Sequence, residues 1–147
     1  MFYVSDIYKE SPKEFKNELQ KRVYNVLNEL SIDYERVDTD EAISMEDCIE
    51  INKKLDMKMV KTLFLCNRQE TEFYLFITTG DKKFDSKKFS QELKIARVSF
   101  AKESKMEEML GTKIGAATIF SSLIDDQMQV HIVIDKDVLK EDYYGCS

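Results

Sequence analysis

The chain is poor in the residues that most often carry out chemistry. Its 147 residues include a single histidine, His131, and no tryptophan. A metal site made of several histidines is therefore excluded, and a Cys–His or Ser–His catalytic pair would have to use His131. The three cysteines, Cys48, Cys66 and Cys146, are widely spaced and form no CxxC pair, so neither a zinc site nor a disulfide scaffold is indicated. We expect buried thiols, no metal and no cofactor.

Proline, glycine and long apolar runs are also scarce. One proline and four glycines argue against a disordered or fibrous chain. No apolar run approaches the roughly eighteen residues of a membrane helix, and residues 1–10 lack the apolar core of a signal peptide. The apolar fraction of 43% is enough for one hydrophobic core. We therefore expect one domain over residues 1–147, in the cytoplasm and without a membrane partner.

Charge is unevenly distributed along the chain. The net charge of −6 argues mildly against nucleic acid as a partner. The middle of the chain, residues 51–113, is nevertheless net basic, with fourteen basic and nine acidic side chains. Four of its lysines either form an ordinary solvated surface or face the phosphates of a nucleic acid. They are Lys82, Lys83, Lys87 and Lys88.

The order of the periodic segments predicts an α+β fold. Helices are predicted at residues 12–30, 44–55, 86–93 and 104–110, with a last helical turn between residues 138 and 144. Strands are predicted at residues 34–37, 59–66, 72–79, 96–101, 116–124 and 128–135. The segment at 59–66 is almost continuously apolar, as expected of a central strand buried on both faces. The whole pattern predicts a mixed, mostly antiparallel sheet flanked by helices.

The sharpest functional candidate is Lys61, a lysine inside the apolar strand predicted at residues 59–66. A lysine that is buried without a partner costs free energy. Lys61 is either a structural lysine, paired with a carboxylate or reaching solvent with its charged end, or a cation at the floor of a pocket. In the second interpretation it binds an anionic or carbonyl oxygen. The strand pattern leaves both interpretations open.

The second candidate is the small-residue segment from Gly111 to Thr118. Its glycines and alanines let a ligand approach the backbone closely, and consecutive N–H groups can hold an oxyanion. Gly111 is also compatible with a plain helix C-cap, and the whole segment with a structural turn. The chain contains no P-loop, GxSxG, HExxH, GxGxxG or EF-hand motif. His131 falls on the less buried face of its predicted strand, and we do not expect it to be catalytic.

Several stretches, taken in order, resemble the YbaK and prolyl-tRNA-synthetase-associated editing domain family, and within it the free-standing prolyl-tRNA deacylases. They are Ile32–Val37, Val60–Leu65, Val98–Ala101, Met109–Gly111, Gly115–Phe120, Val130–Asp135 and Tyr144–Gly145. Their order and spacing match the family over about residues 20–147. The resemblance implies the α+β fold of that family, and a hydrolase that cleaves the ester of mischarged tRNA without a metal.

The resemblance also implies the substrate and the partner. Members of the family typically remove alanine or cysteine from proline tRNA, so the expected partner is a tRNA acceptor end that carries a small amino acid. A cavity sized for a small side chain would exclude the larger correct amino acid. A homodimer is a further expectation.

Carried over by position, the resemblance implies a catalytic role for Lys61, near the terminal phosphate or the carbonyl group of the substrate. Substrate-binding roles fall to Thr62, Gly111, Gly115, Ala116, Thr118 and Ser44. Thr62 stands where alanine-specific members usually have Asn and where cysteine-specific members have Thr.

The chain departs from the family pattern at two places. Ile119 stands where the family usually has Pro. Cys146 and Ser147 stand where an aromatic–His–Pro–Asn sequence usually follows Gly145, so the family's active-site histidine would align with Ser147 and the last strand is expected to be missing. One alternative is therefore a catalytically silent module of the same fold that binds an amino acid or aminoacyl-tRNA. Another is a structural or interaction domain without a ligand.

Overall fold

The computed structural model describes residues 2–41, 46–112, 117–125 and 129–146. The α-helices in these ranges are α1 (Glu18–Glu29), α2 (Ile49–Leu55), α3 (Ser86–Leu93) and α4 (Glu103–Leu110), and 3-10 helices cover Ile119–Leu123 and Lys136–Lys140. The strands are β1 (Lys58–Asn67), β2 (Phe73–Thr79), β3 (Val98–Phe100), β4 (Val130–Ile134) and β5 (Tyr144–Gly145). The predicted α+β fold, with a mixed, mostly antiparallel sheet flanked by helices, is confirmed.

The sheet has the strand order β3-β1-β2-β4, and β1 is central as its apolar sequence predicts. β1 pairs antiparallel with β2, from Val60 opposite Thr79 to Cys66 opposite Phe73. β3 pairs antiparallel with the end of β1, whereas β4 runs parallel to β2. The short β5 pairs in parallel with the start of β1, where Gly145 lies opposite Met59.

Successive side chains of β1 point to opposite faces of the sheet, and each face has its own hydrophobic cluster. We call the first the α4 face: Phe64 and Cys66 of β1 pack there with Leu110 of α4, and with Ala117 and Ile119. We call the second the α3 face. Leu63 and Leu65 of β1 pack there with Phe89 of α3 and with Phe84 and Val98. Adjacent residues of β1 therefore lie on opposite faces of the sheet and contact different hydrophobic clusters.

The prediction that the first helix begins at residue 12 is wrong. The helix begins at Glu18, because the side chain of Asn17 accepts a hydrogen bond of 2.8 Å from the Gln20 N–H and caps it. Ser11, the expected cap, instead shares a hydrogen bond of 2.9 Å with the Tyr34 hydroxyl. The strand predicted at residues 34–37 is not a ladder either, since only isolated bridges join Arg36 to Tyr8 and Thr39 to Val4.

The strand predicted at residues 116–124 is also wrong where the structure describes it. Residues Ile119–Leu123 form a 3-10 helix instead. Thr118 and Ser121 cause this, because each side chain hydrogen bonds the backbone at the start of the helix and together they form a capping box. The helix predicted at 44–55 begins at Ile49, and residues 44–45 lie outside the described ranges. No helix in the described part of the chain has both the length and the apolar character to cross a lipid bilayer.

Candidate active site

Lys61 lies on the α3 face of β1, opposite Thr78 of β2, and its side chain is half-buried. Its Nζ atom donates a hydrogen bond to the main-chain carbonyl oxygen of Lys82, in the turn that follows β2. No carboxylate among the described residues lies within ion-pair distance of Lys61. An ammonium group has three N–H donors, so the charge of Lys61 is anchored by a neutral group while two donors are left for a ligand.

The side chain of Lys82 fixes the turn that holds Lys61. Lys82 Nζ lies 2.7 Å from Asp135 Oδ2 and 2.6 Å from Asp137 Oδ2, and the Thr78 hydroxyl donates a hydrogen bond of 2.8 Å to Asp135 Oδ2. We call this group of four side chains, from Thr78, Lys82, Asp135 and Asp137, the Lys82 clamp. It ties the turn after β2 to the segment after β4 and so sets the position of the carbonyl group that Lys61 contacts.

The clamp changes the proton affinity of its members. Hydrogen bonds to Asp135 first, and then to Asp137, raise the pKa of Lys82 above its ordinary value. Lys140 and then Lys82 lower the pKa of Asp137 to about 2. Burial alone would raise the pKa of Asp135, but the hydrogen bonds that Asp135 accepts, the strongest from Lys82, leave that pKa below its ordinary value. All three groups therefore stay charged near neutral pH.

Sequence reasoning missed the clamp because it did not pair β2 with β4. The two strands are parallel, with Ile77 opposite Ile134, so their carboxyl ends meet at one edge of the sheet. Asp135 and Lys82 follow those two ends and thus come together. The sequence alone predicts a solvated or phosphate-facing lysine at position 82. Strand periodicity in the sequence does not specify this parallel pairing, which brings Lys82 to its carboxylate partners.

The other described site residues lie on the α4 face. Thr62 pairs with Ile77, whose side chain belongs to the cluster on that face, and Thr62 is half-buried. Gly111 is the C-cap of α4 with a φ of 65°, a left-handed conformation that favours glycine, so its interpretation as a C-cap is confirmed. Thr118 is buried and caps the 3-10 helix after it. Three further predicted site residues lie outside the described ranges: Ser44, Gly115 and Ala116.

Cys146 brings the C-terminal segment against Thr118. Burial raises the pKa of the Cys146 thiol, and a hydrogen bond with the Thr118 side chain offsets part of this effect. The hydroxyl group of Thr112, the residue after Gly111, is also buried and has no hydrogen-bond partner among the described residues. The α4 face thus presents neutral polar groups near Gly111 and Thr118, in contrast to the charged groups around Lys61.

A model of the aminoacyl-tRNA editing domain family matches residues 39–147. The chain therefore belongs to this family. A prolyl-tRNA editing protein, ProX, from Acetoanaerobium sticklandii is 29% identical over 113 residues, which cover 77% of this chain and 69% of that protein. All the predicted site residues fall within the part that the editing-domain model matches, whereas α1 lies before it.

Two solved structures share the fold of this editing domain. One is of a hypothetical protein, APE2540, with a TM-score of 0.58 and 17% identity over 72% of this chain and 68% of that one. The other is of a putative trans-editing enzyme for prolyl tRNA synthetase, with a TM-score of 0.53 and 17% identity over 67% of this chain and 59% of that one. At this level of identity the likeness establishes the fold.

The remaining titratable candidates of this editing domain have structural partners. His131 Nε2 lies 2.9 Å from Glu72 Oε2, and its ring stacks on Tyr74 at a centroid distance of 5.1 Å. Cys48 and Cys66 are buried free thiols as expected, and burial raises the pKa of each. In the ranges that the structure describes, no three His, Cys, Asp or Glu side chains come together as metal ligands.

Proposed function

We propose that the protein is a trans-editing aminoacyl-tRNA deacylase that hydrolyses mischarged proline tRNA, with alanine as the first expected amino acid and cysteine as the second. The observation that carries this proposal is Lys61, a half-buried cation with no carboxylate partner among the described residues. It belongs to a domain of the aminoacyl-tRNA editing family. The ProX protein of Acetoanaerobium sticklandii, named for prolyl-tRNA editing, supports the choice of tRNA.

The reaction is the hydrolysis of an ester. Water adds to the carbonyl carbon, the bond from that carbon to the ribose oxygen breaks, and the products are the free amino acid and a tRNA with a free terminal hydroxyl group. Negative charge develops on the carbonyl oxygen in the transition state. An N–H donor that is held in place stabilises that charge by a factor of about 10² to 10³ in rate. Lys61 fits this role because one of its three donors is already fixed to the Lys82 carbonyl oxygen.

The proposed substrate-binding residues define the rest of the site. They are Thr62, Gly111, Gly115, Ala116, Thr118 and Ser44. Small residues in this set favour a pocket that admits a small amino acid and excludes proline by size. Because Lys61 and Thr62 point to opposite faces of β1, a substrate that contacts both residues must pass around the edge of β1 that faces away from β2. The substrate is an activated ester, so we propose that no metal or cofactor takes part.

The test is a deacylation assay with proline tRNA charged with alanine, cysteine or proline. We expect alanyl or cysteinyl ester to be hydrolysed well above the rate in buffer, and prolyl ester to be spared. If a folded preparation hydrolyses neither mischarged substrate, the proposed activity is wrong.

We also propose that the protein acts in the cytoplasm, which fractionation of the source cells tests. Association into a homodimer is a further prediction, for which sedimentation equilibrium is the measurement.

A catalytically silent binding module of the same fold is the second candidate. The sequence favours it, because Cys146 and Ser147 follow Gly145 where the family usually continues with an aromatic residue and then the active-site histidine. Cys146 is a half-buried thiol whose pKa is raised by burial, so it stays neutral near pH 7 and does not replace an imidazole as a proton acceptor. Binding of aminoacylated proline tRNA or of a free amino acid without turnover would support this candidate, and the absence of any binding would reject it.

A further inference from the structure

The surface around α3 carries positive charge that the rest of the fold does not neutralise. Residues 82–102 contain seven basic and two acidic side chains. Lys82 is bound in the clamp, and Lys102 Nζ lies 3.6 Å from Glu70 Oε1. The other five have no carboxylate within ion-pair distance among the described residues. These five are Lys83, Lys87, Lys88, Lys94 and Arg97, and we call them the α3 basic surface.

The two acidic residues of this stretch do not cancel the charge. The Asp85 side chain caps α3 and accepts a hydrogen bond of 3.1 Å from the Lys88 N–H. Glu92 is exposed on α3 and forms no ion pair with a described residue. Basic side chains elsewhere are more often paired, as in Arg36–Asp38, Lys53–Glu50, Lys58–Glu141 and Lys105–Glu108.

An exposed aromatic ring lies beside the α3 basic surface. Phe100 of β3 is 61% exposed, more than any other phenylalanine among the described residues. Its ring is backed by Phe84 at a centroid distance of 5.5 Å, and its backbone pairs with Leu65. Arg97, three residues earlier, donates a hydrogen bond of 3.4 Å to the Ser86 hydroxyl at the start of α3. A supported ring and unpaired cations therefore lie side by side.

This combination matches the chemistry of single-stranded nucleic acid. Phosphates need unpaired cations along a surface, and unpaired bases stack on exposed aromatic rings. The surface also continues towards Lys61, because Lys61 lies on the same face of the sheet and contacts the Lys82 carbonyl group next to Lys83. We propose that the α3 basic surface and Phe100 bind the acceptor end of tRNA, with Phe100 stacking on an unpaired base of its 3′ end. This inference rests on the proposed function for the choice of RNA.

The first experiment measures how binding depends on salt. The probe is an uncharged acceptor-stem RNA hairpin with a single-stranded 3′ overhang, labelled for fluorescence anisotropy. The variant is the triple substitution Lys83→Gln, Lys87→Gln and Lys88→Gln. Each lost contact with single-stranded phosphate removes about 0.7 from the slope of log Kd against log salt, so we expect the slope to fall by about 2.

The matched control neutralises three exposed lysines at the other end of the chain. It is Lys13→Gln, Lys16→Gln and Lys21→Gln, and these lysines also have no carboxylate partner among the described residues. Net charge changes equally in both triple variants, so a general charge effect would change both slopes alike. Equal slopes for the two variants would overturn the proposal. So would equally salt-dependent binding of anionic phospholipid vesicles, since that would mark a surface for membranes or for anions in general.

The second experiment tests the stacking. Phe100→Leu keeps an apolar side chain against Phe84 but removes the ring, whereas Phe100→Tyr keeps the ring. We expect Phe100→Leu to weaken binding of the overhang hairpin by about 5- to 150-fold and Phe100→Tyr to preserve it. A blunt hairpin should bind both variants equally. An unchanged Kd for Phe100→Leu would reject the stacking.

The two proposals fail in different ways. Binding is measured with uncharged RNA and does not require turnover. If the wild-type protein deacylates tRNA while the α3 variants bind and hydrolyse it normally, the docking surface is wrong and the proposed function stands. If the α3 surface binds RNA but no ester is hydrolysed, the docking surface stands and the proposed activity is wrong.

Discussion

The two faces of β1 differ in the kind of group that they present. On the α3 face, Lys61 is bonded to the carbonyl oxygen of Lys82, and the Lys82 clamp fixes that residue through two short ion pairs with Asp135 and Asp137. On the α4 face, Thr118 and Cys146 are neutral groups joined by a hydrogen bond. Under the proposed function, we expect a division of roles within one strand: the α3 face stabilises the charge that develops on the substrate, and the α4 face limits the size of the amino acid that binds.

Replacing Lys61 tests this division most directly. Lys61→Met removes the ammonium group but keeps a long apolar side chain in β1. We expect kcat/KM for deacylation to fall by about 10²- to 10³-fold, the effect of losing one donor to a developing oxyanion. The free energy of unfolding in urea should change little, because no carboxylate among the described residues would be left without a partner.

Lys58 offers the matched control in the same strand. It is exposed and lies 3.3 Å from Glu141. Lys58→Met should leave kcat/KM unchanged. If Lys61→Met instead unfolds the protein or retains full activity, Lys61 is a structural lysine and the charge-handling role of the α3 face is wrong.

Replacing Lys82 should give a smaller effect with a characteristic pH dependence. In Lys82→Met the turn loses its two ion pairs, so the carbonyl group that holds Lys61 is less fixed and we expect about a tenfold loss in kcat/KM. The pKa of Asp135 should rise, because the hydrogen bond and the charge of Lys82 lower it in the wild type. A carboxylate with a lowered pKa stabilises the fold above its ordinary pKa and loses that effect as the pH falls. Lys82→Met should therefore be less stable than the wild type at neutral pH, and the difference in free energy of unfolding should shrink as the pH falls and Asp135 is protonated.

Carboxyl NMR titration of Asp135, together with acid unfolding followed by circular dichroism, measures both effects. Lys83→Met is the control in the same turn, since Lys83 has no carboxylate partner among the described residues. An Asp135 titration that is the same in Lys82→Met and in wild type would show that the clamp does not hold this carboxylate.

The smallest effect is expected on the α4 face. Thr118→Val removes the side-chain oxygen that caps the 3-10 helix and contacts Cys146, and we expect a loss of about 1 kcal/mol in the free energy of unfolding. The pKa of Cys146 should rise further, because the hydrogen bond from Thr118 lowers it. Thr118→Ser keeps the oxygen and should behave like the wild type. Urea unfolding and the pH dependence of thiol alkylation are the measurements, and equal stability of the two variants would contradict the capping role.

The parts of the fold that were predicted correctly depend on local signals. The central strand follows from an apolar run, α3 from the Asp85 cap, and the end of α4 from Gly111. At the 3-10 helix after Thr118 the sequence pattern predicts a strand, because Ile119 and Phe120 have strand propensity. Its capping box uses Thr118 and Ser121, and this local signal outweighed the propensity.

In the candidate site, too, local sequence signals predict some features and miss others. Lys61 stood out because a lysine is costly in a buried strand. Its anchor, the carbonyl group of Lys82, is a backbone atom twenty-one positions away and has no side-chain signature. The clamp depends on the parallel pairing of β2 with β4, which strand periodicity does not specify.

The position of β3 at the end of the strand order has a consequence for the solution behaviour of the protein. An outer strand is a template for pairing with another chain, and charged side chains on or beside it discourage such pairing. The N–H and C=O groups of Val98 are already bonded to the Ser90 and Ser86 side chains of α3, which leaves Ser99 and Phe100 as the exposed part of the strand. We expect Arg97 and Lys102, which flank β3, to discourage pairing there and Phe100 to favour it. Neutralising this positive charge, by mutation or by a bound polyanion, should therefore lower the protein concentration at which self-association through β3 begins.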